Sequence, residues 1–273
     1  MLLGVTVAWS AIRGLLIDLD GVVYTGSQPI PGAGQFIGQA RSRGLPFLLV
    51  TNNSTASPDD VAHRLAAMNV SVEASEILTS AQAAAAYVRG HSSPGAKIKL
   101  IGEGGLRSAA LEEGLHVVDN GEIDVEWVIA GLDRAFDYDK LTGATRAILA
   151  GARFLATNAD ALLPIEGGDV LPGAGTIVAA IQVATAITPI VVGKPEPGLF
   201  EHGLARLGGL RPDEVAMIGD RLDTDVVGGQ RAGLHTILVL SGVTAPQQLA
   251  AAVARPDAVV PNLASVAELF GWT

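Results

Sequence analysis

The sequence contains no cysteine. Disulfide bonds, thiol catalysis and cysteine-based zinc sites are therefore excluded. The composition fits a reducing compartment, so a cytoplasmic location is expected. Aromatic residues fill only 4% of the 273 positions, which leaves Ala, Val, Leu and Ile to build the core. Basic residues are also scarce: 18 Lys and Arg stand against 28 Asp and Glu, a formal charge of −10. That balance lacks the basic footprint of a nucleic-acid binder, and no nucleic-acid partner is expected. No apolar run reaches the roughly 18 residues of a spanning helix, so no membrane partner is expected either. The opening MLLGVTVAWSAIRG has no basic start and no unbroken apolar stretch, and is not read as a signal peptide. The histidines, His63, His91, His116, His202 and His235, show no metal-ligand spacing.

What the chain does have is 49% hydrophobic residues arranged as short runs between longer amphipathic segments. Gly14–Ile17, Phe47–Val50, Lys97–Ile101, Trp127–Ala130, Phe154–Ala156, Ile190–Val192, Val215–Ile218 and Thr236–Leu240 read as strands. Most lack polar alternation, as strands buried on both faces do. Pro58–Met68, Tyr138–Ala150, Ile177–Thr185 and Leu199–Leu207 read as helices, and the alanine-rich Ala81–Ala86 as another. Ser57 before Pro58 is a helix start, and Gly208-Gly209 a helix stop. Gly102-Glu103-Gly104-Gly105 lacks a full dinucleotide-binding pattern and reads as a strand-to-helix turn. A closing helix is expected within Pro261–Thr273. This alternation implies a mostly parallel sheet with right-handed crossovers.

Four of the strand candidates run into polar residues. Gly14–Ile17 leads into Asp18, Phe47–Val50 into Thr51-Asn52-Asn53-Ser54, Ile190–Val192 into Gly193-Lys194, and Val215–Ile218 into Gly219-Asp220. In open parallel sheets ligands bind beyond the carboxyl ends of the strands. If these four strands are neighbours, the four ends converge on one crevice. Two lie before residue 55 and two after residue 190, so the middle reads as an inserted domain. Residues 1–80 and 181–273 would form the core and 81–180 the insertion.

Asp18 and Asp20 in Asp18-Leu19-Asp20-Gly21 project to one side of an extended chain. Two carboxylates facing one space repel, and Mg²⁺, which prefers oxygen ligands, relieves that repulsion. One carboxylate could attack phosphorus and the other move a proton. Taken alone, the pattern favours an acidic turn after a strand. Thr51, Asn52 and Asn53 offer neutral donors for phosphate oxygens, or simply an Asn-rich turn. Lys194 could balance phosphate charge, or be a solvated loop lysine stiffened by Pro195 and Pro197. Asp220, Asp223 and Asp225 place three acids within six residues, as metal ligands or as an acidic helix start. Asp220 is the candidate ligand, and Asp225 could support the site by hydrogen-bonding to Lys194 or to metal-bound water. Taken together and in this order, the four segments favour the chemical reading.

These residues resemble a known family. Asp18-Leu19-Asp20-Gly21-Val22-Val23-Tyr24, Thr51-Asn52-Asn53-Ser54, Gly193-Lys194-Pro195 and Gly219-Asp220-Arg221-Leu222 with Thr224-Asp225 resemble the four ordered motifs of the haloacid-dehalogenase superfamily. The nearer resemblance is to its subfamily IIA, the NagD-like and p-nitrophenyl phosphatase-like branch. In the insertion, Gly131-Leu132-Asp133, Ala156-Thr157-Asn158 with Asp160, and Leu171-Pro172-Gly173-Ala174-Gly175 are similar to that branch's cap. The resemblance implies an α/β fold: a Rossmann-like, doubly wound parallel-sheet core with an inserted α/β cap of the C2 type. It implies Asp18 as nucleophile and Mg²⁺ ligand. Asp20 becomes general acid/base, giving the metal its backbone carbonyl rather than its side chain, which revises the two-carboxylate reading. Asp220 completes the ligands. Thr51, Asn52 and Asn53 hold phosphoryl oxygens, and Lys194 bridges phosphate and Asp18.

The expected activity is Mg²⁺-dependent hydrolysis of small phosphomonoesters through an aspartyl-phosphate. Sugar or polyol phosphates such as glycerol phosphate or phosphoglycolate, and p-nitrophenyl phosphate, are the expected substrates, and the chain is expected to be a monomer or homodimer. A phosphotransferase or mutase on the same scaffold is the alternative, as is a ligand-sensing protein with residual activity. Specificity is expected in Asn158–Pro164. Pyridoxal phosphatases of the branch carry a histidine where this chain has Leu163, so pyridoxal phosphate ranks lower.

Overall fold

Residues 7–164 and 169–272 are described by a computed structural model. The first six residues of the opening segment, which is not read as a signal peptide, lie outside them. By spatial contacts the chain divides into two units, both discontinuous. The first comprises Met1–Val50, Arg64–Val72 and Gly203–Thr273, and the second Thr51–His63 and Glu73–His202.

The first unit is organised by strands with no polar face. Gly14–Asp18, Phe47–Thr51 and Val215–Gly219 are buried at every position. Their neighbours run in the order Ala258–Val260, His235–Val239, Val215–Gly219, Gly14–Asp18, Phe47–Thr51, all parallel. From Gly14–Asp18 the chain crosses through helix Ala33–Ser42 to Phe47–Thr51 on one side. It returns much later to Val215–Gly219 on the other. The strand order therefore reverses at Gly14–Asp18, the place where open α/β sheets bind ligands. Leu15, Leu16 and Ile17 are fully buried, as are Phe36, Ile37 and Ala40 of helix Ala33–Ser42. The expected closing helix is Leu263–Leu269, capped by Asn262. Beyond it Trp272 stacks on Phe36 at 5.2 Å between ring centres.

The second unit holds its own five-stranded parallel sheet, ordered Ile190–Val191, Arg153–Ala156, Trp127–Ala130, Lys97–Ile101, His116–Val117. Helices Tyr138–Leu149 and Ala174–Thr185 bury Ala144, Ala147, Ile177 and Ile181 against Val128, Phe154 and Ala156 of the sheet. Helix Ser80–Gly90 opens on a capping box between Thr79 and Gln82, and its five alanines explain why it was legible in the sequence. Helix Gly104–Glu112 starts directly after Lys97–Ile101, so the glycine-rich segment is the expected strand-to-helix turn. Leu162–Pro164 and Val170–Pro172 form an antiparallel pair in which Leu163 faces Leu171. Among the described residues no helix is long and apolar enough to cross a membrane.

One expectation needs correction. Three of the four polar strand ends belong to neighbouring strands, but the fourth does not. Ile190–Val191 pairs with Arg153–Ala156 at the edge of the second unit's sheet. After helix Ala174–Thr185 the chain returns to lie parallel beside Arg153–Ala156, as a βαβ connection does. A two-residue strand that is only half covered carries too little pattern to show which sheet it joins.

Candidate active site

The register of the first unit brings its acids together. Ile17 lies beside Ile218, so Asp18 and Asp220 both leave the carboxyl ends of adjacent strands. After Asp220 the chain makes one wide helical turn, Leu222–Val226, with Val226 N–H reaching back to the Arg221 carbonyl at 3.2 Å. That turn folds Asp225 underneath, where its Oδ2 accepts the backbone N–H groups of Asp220 at 3.1 Å and Arg221 at 3.0 Å. Asp18, Asp220 and Asp225 are each buried, and one carboxylate oxygen from each lies within 4.8 Å of the others. Among the described residues this is the one group of acids or histidines so arranged. Asp223 turns outward instead and pairs with Arg221 at 2.8 Å.

Glycines shape the space around Asp220. A Cβ at Gly21 or at Gly242 would overlap the Asp220 carboxylate, and Gly21 also has φ +79°. Val243 N–H donates to Asp220 Oδ2 at 2.6 Å, which fixes the carboxylate's rotation. Burying three carboxylates side by side is costly unless a cation compensates them. Hard, anionic oxygen donors without nitrogen or sulfur suit Mg²⁺. Asp18 and Asp220 would hold it through their side chains.

Asp20 stays out of this cluster. Its side chain is exposed and accepts the Tyr24 hydroxyl on Oδ2 at 3.0 Å. Burial, and then the negative charge of Asp20, hold the Tyr24 phenol far above its ordinary pKa, so it remains a donor. Arg64 lies over the Tyr24 ring, 4.5 Å from its centre, and donates to the Gly26 carbonyl at 2.9 Å. Tyr24 was not singled out from the sequence. Its hydroxyl reaches Asp20 because Tyr24–Thr25 turns back on Gln28–Pro29, a hairpin too short to show a period.

In the second unit Thr51, Asn52 and Asn53 form a tight polar turn. Asn53 N–H donates to Thr51 Oγ1 at 3.1 Å, and Asn53 Oδ1 accepts both the N–H and the hydroxyl of Thr55. Asn52 and Lys194 are brought together: Asn52 Oδ1 accepts Lys194 N–H at 2.8 Å, and its Nδ2 donates to the Lys194 carbonyl at 2.9 Å. Lys194 is 4% exposed, too buried for a solvated loop lysine. Asp160, within the segment expected to carry specificity, accepts from Asn52 Nδ2 at 2.9 Å.

Comparison with known proteins agrees with this geometry. A family model for haloacid dehalogenase-like hydrolases matches residues 15–116, and a second, HAD-hydrolase-like, matches residues 191–266. An acid sugar phosphatase of Staphylococcus aureus is 43% identical over 232 residues, 85% of this chain and 88% of that one. A glycerol phosphate phosphatase of Mycobacterium tuberculosis, solved in complex with magnesium, is 39% identical with a TM-score of 0.87, covering 94% of this chain and 77% of that one. NagD of Escherichia coli is 33% identical with a TM-score of 0.85, covering 93% and 97%. Motif order, sheet topology and these relatives agree: the chain belongs to the haloacid dehalogenase-like hydrolases, in their NagD-like branch.

Proposed function

We propose that this protein is a Mg²⁺-dependent phosphatase of small sugar or polyol phosphates, with Asp18 as its nucleophile. The observation that carries the reading is the buried cluster of Asp18, Asp220 and Asp225 at the point where the strand order reverses. The Staphylococcus and Mycobacterium relatives support the substrate class, and the latter's magnesium complex supports the metal.

In the first step an Asp18 carboxylate oxygen attacks phosphorus, and the bond from phosphorus to the leaving oxygen breaks. Asp20 gives that oxygen a proton. In the second step water attacks the phosphorus of the acyl phosphate. Asp20 takes up the water's proton, inorganic phosphate leaves and the Asp18 carboxylate is restored. Asp18, Asp220 and the Asp20 carbonyl would hold Mg²⁺, which would supply positive charge against the phosphoryl oxygens. Tyr24 restrains Asp20 between its two proton transfers. Asp225 keeps the Asp220 backbone in place by accepting its N–H. Lys194 carries the remaining phosphate charge, which a chain of net charge −10 needs locally. Thr51 and Asn53 donate to phosphate oxygens, and Asn52 does so through its backbone N–H, its side chain being engaged with Lys194 and Asp160. Residues 81–180 act as the substrate-specificity domain, and the location is the cytoplasm.

A panel of phosphomonoesters assayed with Mg²⁺ and with EDTA tests this. Sugar and polyol phosphates and p-nitrophenyl phosphate should turn over with Mg²⁺, fall to background in EDTA, and recover when Mg²⁺ is restored. Pyridoxal phosphate should show a lower kcat/KM than the best polyol phosphate. Background rates across the panel with Mg²⁺ present, or rates indifferent to EDTA, would refute the reading.

A further inference from the structure

The side chain and the carbonyl of Asn52 are held by residues of its own unit. Its side chain pairs with both backbone polar groups of Lys194, a residue 142 positions away, as a neighbouring strand would. Its carbonyl accepts the Ser80 hydroxyl at 2.6 Å and Asn158 Nδ2 at 2.8 Å. Asn158 Oδ1 in turn accepts the Asp160 N–H at 3.1 Å, which shapes the start of the loop. Gly193 makes the close approach of Lys194 possible, because a Cβ there would lie 2.7 Å from Asn52 Oδ1.

A side-chain amide has two orientations that exchange its oxygen and nitrogen. In one, Asn52 presents an acceptor to the Lys194 N–H and a donor to its carbonyl. In the other, both contacts become repulsive. Asp160 stands on the nitrogen side and offers a charged acceptor to the second Nδ2 hydrogen. A flipped amide would set its oxygen against that carboxylate. The charge-assisted bond thus selects the orientation that ties Lys194 down.

We propose that Asp160 is a positioning residue for the phosphate-handling lysine: through Asn52 it fixes the backbone from which the Lys194 side chain extends. The proposal rests on the assignment of Lys194 to phosphate binding made above. It gives the loop that follows strand Arg153–Ala156 a part in phosphate affinity, in addition to the substrate selection expected of it.

The test measures kcat and KM for p-nitrophenyl phosphate, and inhibition by inorganic phosphate, on the full chain with Mg²⁺. Asp160→Ala should weaken phosphate inhibition about tenfold, the scale of one charge-assisted hydrogen bond, while unfolding cooperatively. Asp160→Asn keeps an acceptor oxygen and should stay within about threefold of the parent. If the alanine variant folds poorly, Asp160→Leu fills the volume without an acceptor and is read the same way. Unchanged phosphate inhibition in the folded acceptor-free variant, or an Asp160→Asn variant as impaired as it, overturns the positioning role. Lys194→Ala separates the two levels. Parental turnover and inhibition in that variant would remove the lysine's assignment and the proposal with it. An inactive Lys194→Ala beside an unaffected Asp160→Ala removes the positioning role alone.

Discussion

Asp220 shows how much of one residue's role depends on atoms far from it in sequence. As a residue at a strand end it was legible, because Val215–Ile218 is uniformly apolar and stops at Gly219-Asp220. Asp18 was legible for the same reason of position, at the end of Gly14–Ile17, whereas Asp225 stood out only as one of three acids within six residues. Tyr24 and Val243, which orient Asp20 and Asp220, were not. Their contacts depend on a short hairpin and on a loop after strand His235–Val239, neither of which has a period to read. At this scale the account predicts that Asp18→Asn abolishes turnover of p-nitrophenyl phosphate while leaving far-UV dichroism unchanged, since the amide keeps the side chain's shape. Tyr24→Phe should lower kcat by about tenfold with KM little changed, because a hydroxyl that restrains an acid/base acts on the chemical step rather than on binding. A Tyr24→Phe variant with parental kcat would show that the hydroxyl only packs.

Among the elements, the long buried strands were read correctly, whereas Ile190–Val192 was read as a strand but not placed in its sheet. Gly14–Asp18, Phe47–Thr51 and Val215–Gly219 have five consecutive buried positions each, which apolar runs reveal. Ile190–Val191 has two, and its sheet was misjudged because pairing depends on the crossover helix before it. The wide turn Leu222–Val226 was invisible as well. It is a local underwinding set by Asp225 bonding back to Asp220 and Arg221, not by residue propensity. The loops bearing Gly21 and Gly242 belong to this scale, because they leave the room that Asp220 occupies. Gly242→Ala should raise the Mg²⁺ concentration for half-maximal activity by about tenfold or more, as the methyl group displaces a ligand oxygen. Gly21→Ala should do the same and also destabilise the fold by about 1 kcal/mol, for its positive φ. Parental Mg²⁺ dependence in both variants would mean that the Asp220 carboxylate does not need this cradle.

At the scale of the whole molecule, the chain carries an excess of ten negative charges and buries three carboxylates in one cluster. Both facts make Mg²⁺ a stabiliser of the fold as well as a cofactor. A cation that binds only the folded state adds about 2.7 kcal/mol at a concentration of about 100 times its Kd. The melting temperature of the parent should therefore rise with Mg²⁺. In EDTA, Asp18→Asn should melt at or above the parent, because one of three mutually repelling charges is gone; in Mg²⁺ it should gain less. A variant that melts well below the parent in EDTA would argue that the cluster is compensated from within the protein. In the sequence, polar strand ends before residue 55 and after residue 190, with a separate α/β pattern between them, point to an inserted domain; by spatial contacts the chain divides into two discontinuous units. How the connecting segments divide is set by packing rather than by composition.

The covalent step can be tested most directly by trapping. Borohydride reduces an aspartyl phosphate to homoserine, which peptide mass spectrometry locates to a single residue. During turnover with Mg²⁺, homoserine should form at position 18, and substrate-free protein should show none. Homoserine at Asp220 or Asp225, or its absence during demonstrated turnover, would contradict the assignment of Asp18 as the nucleophile.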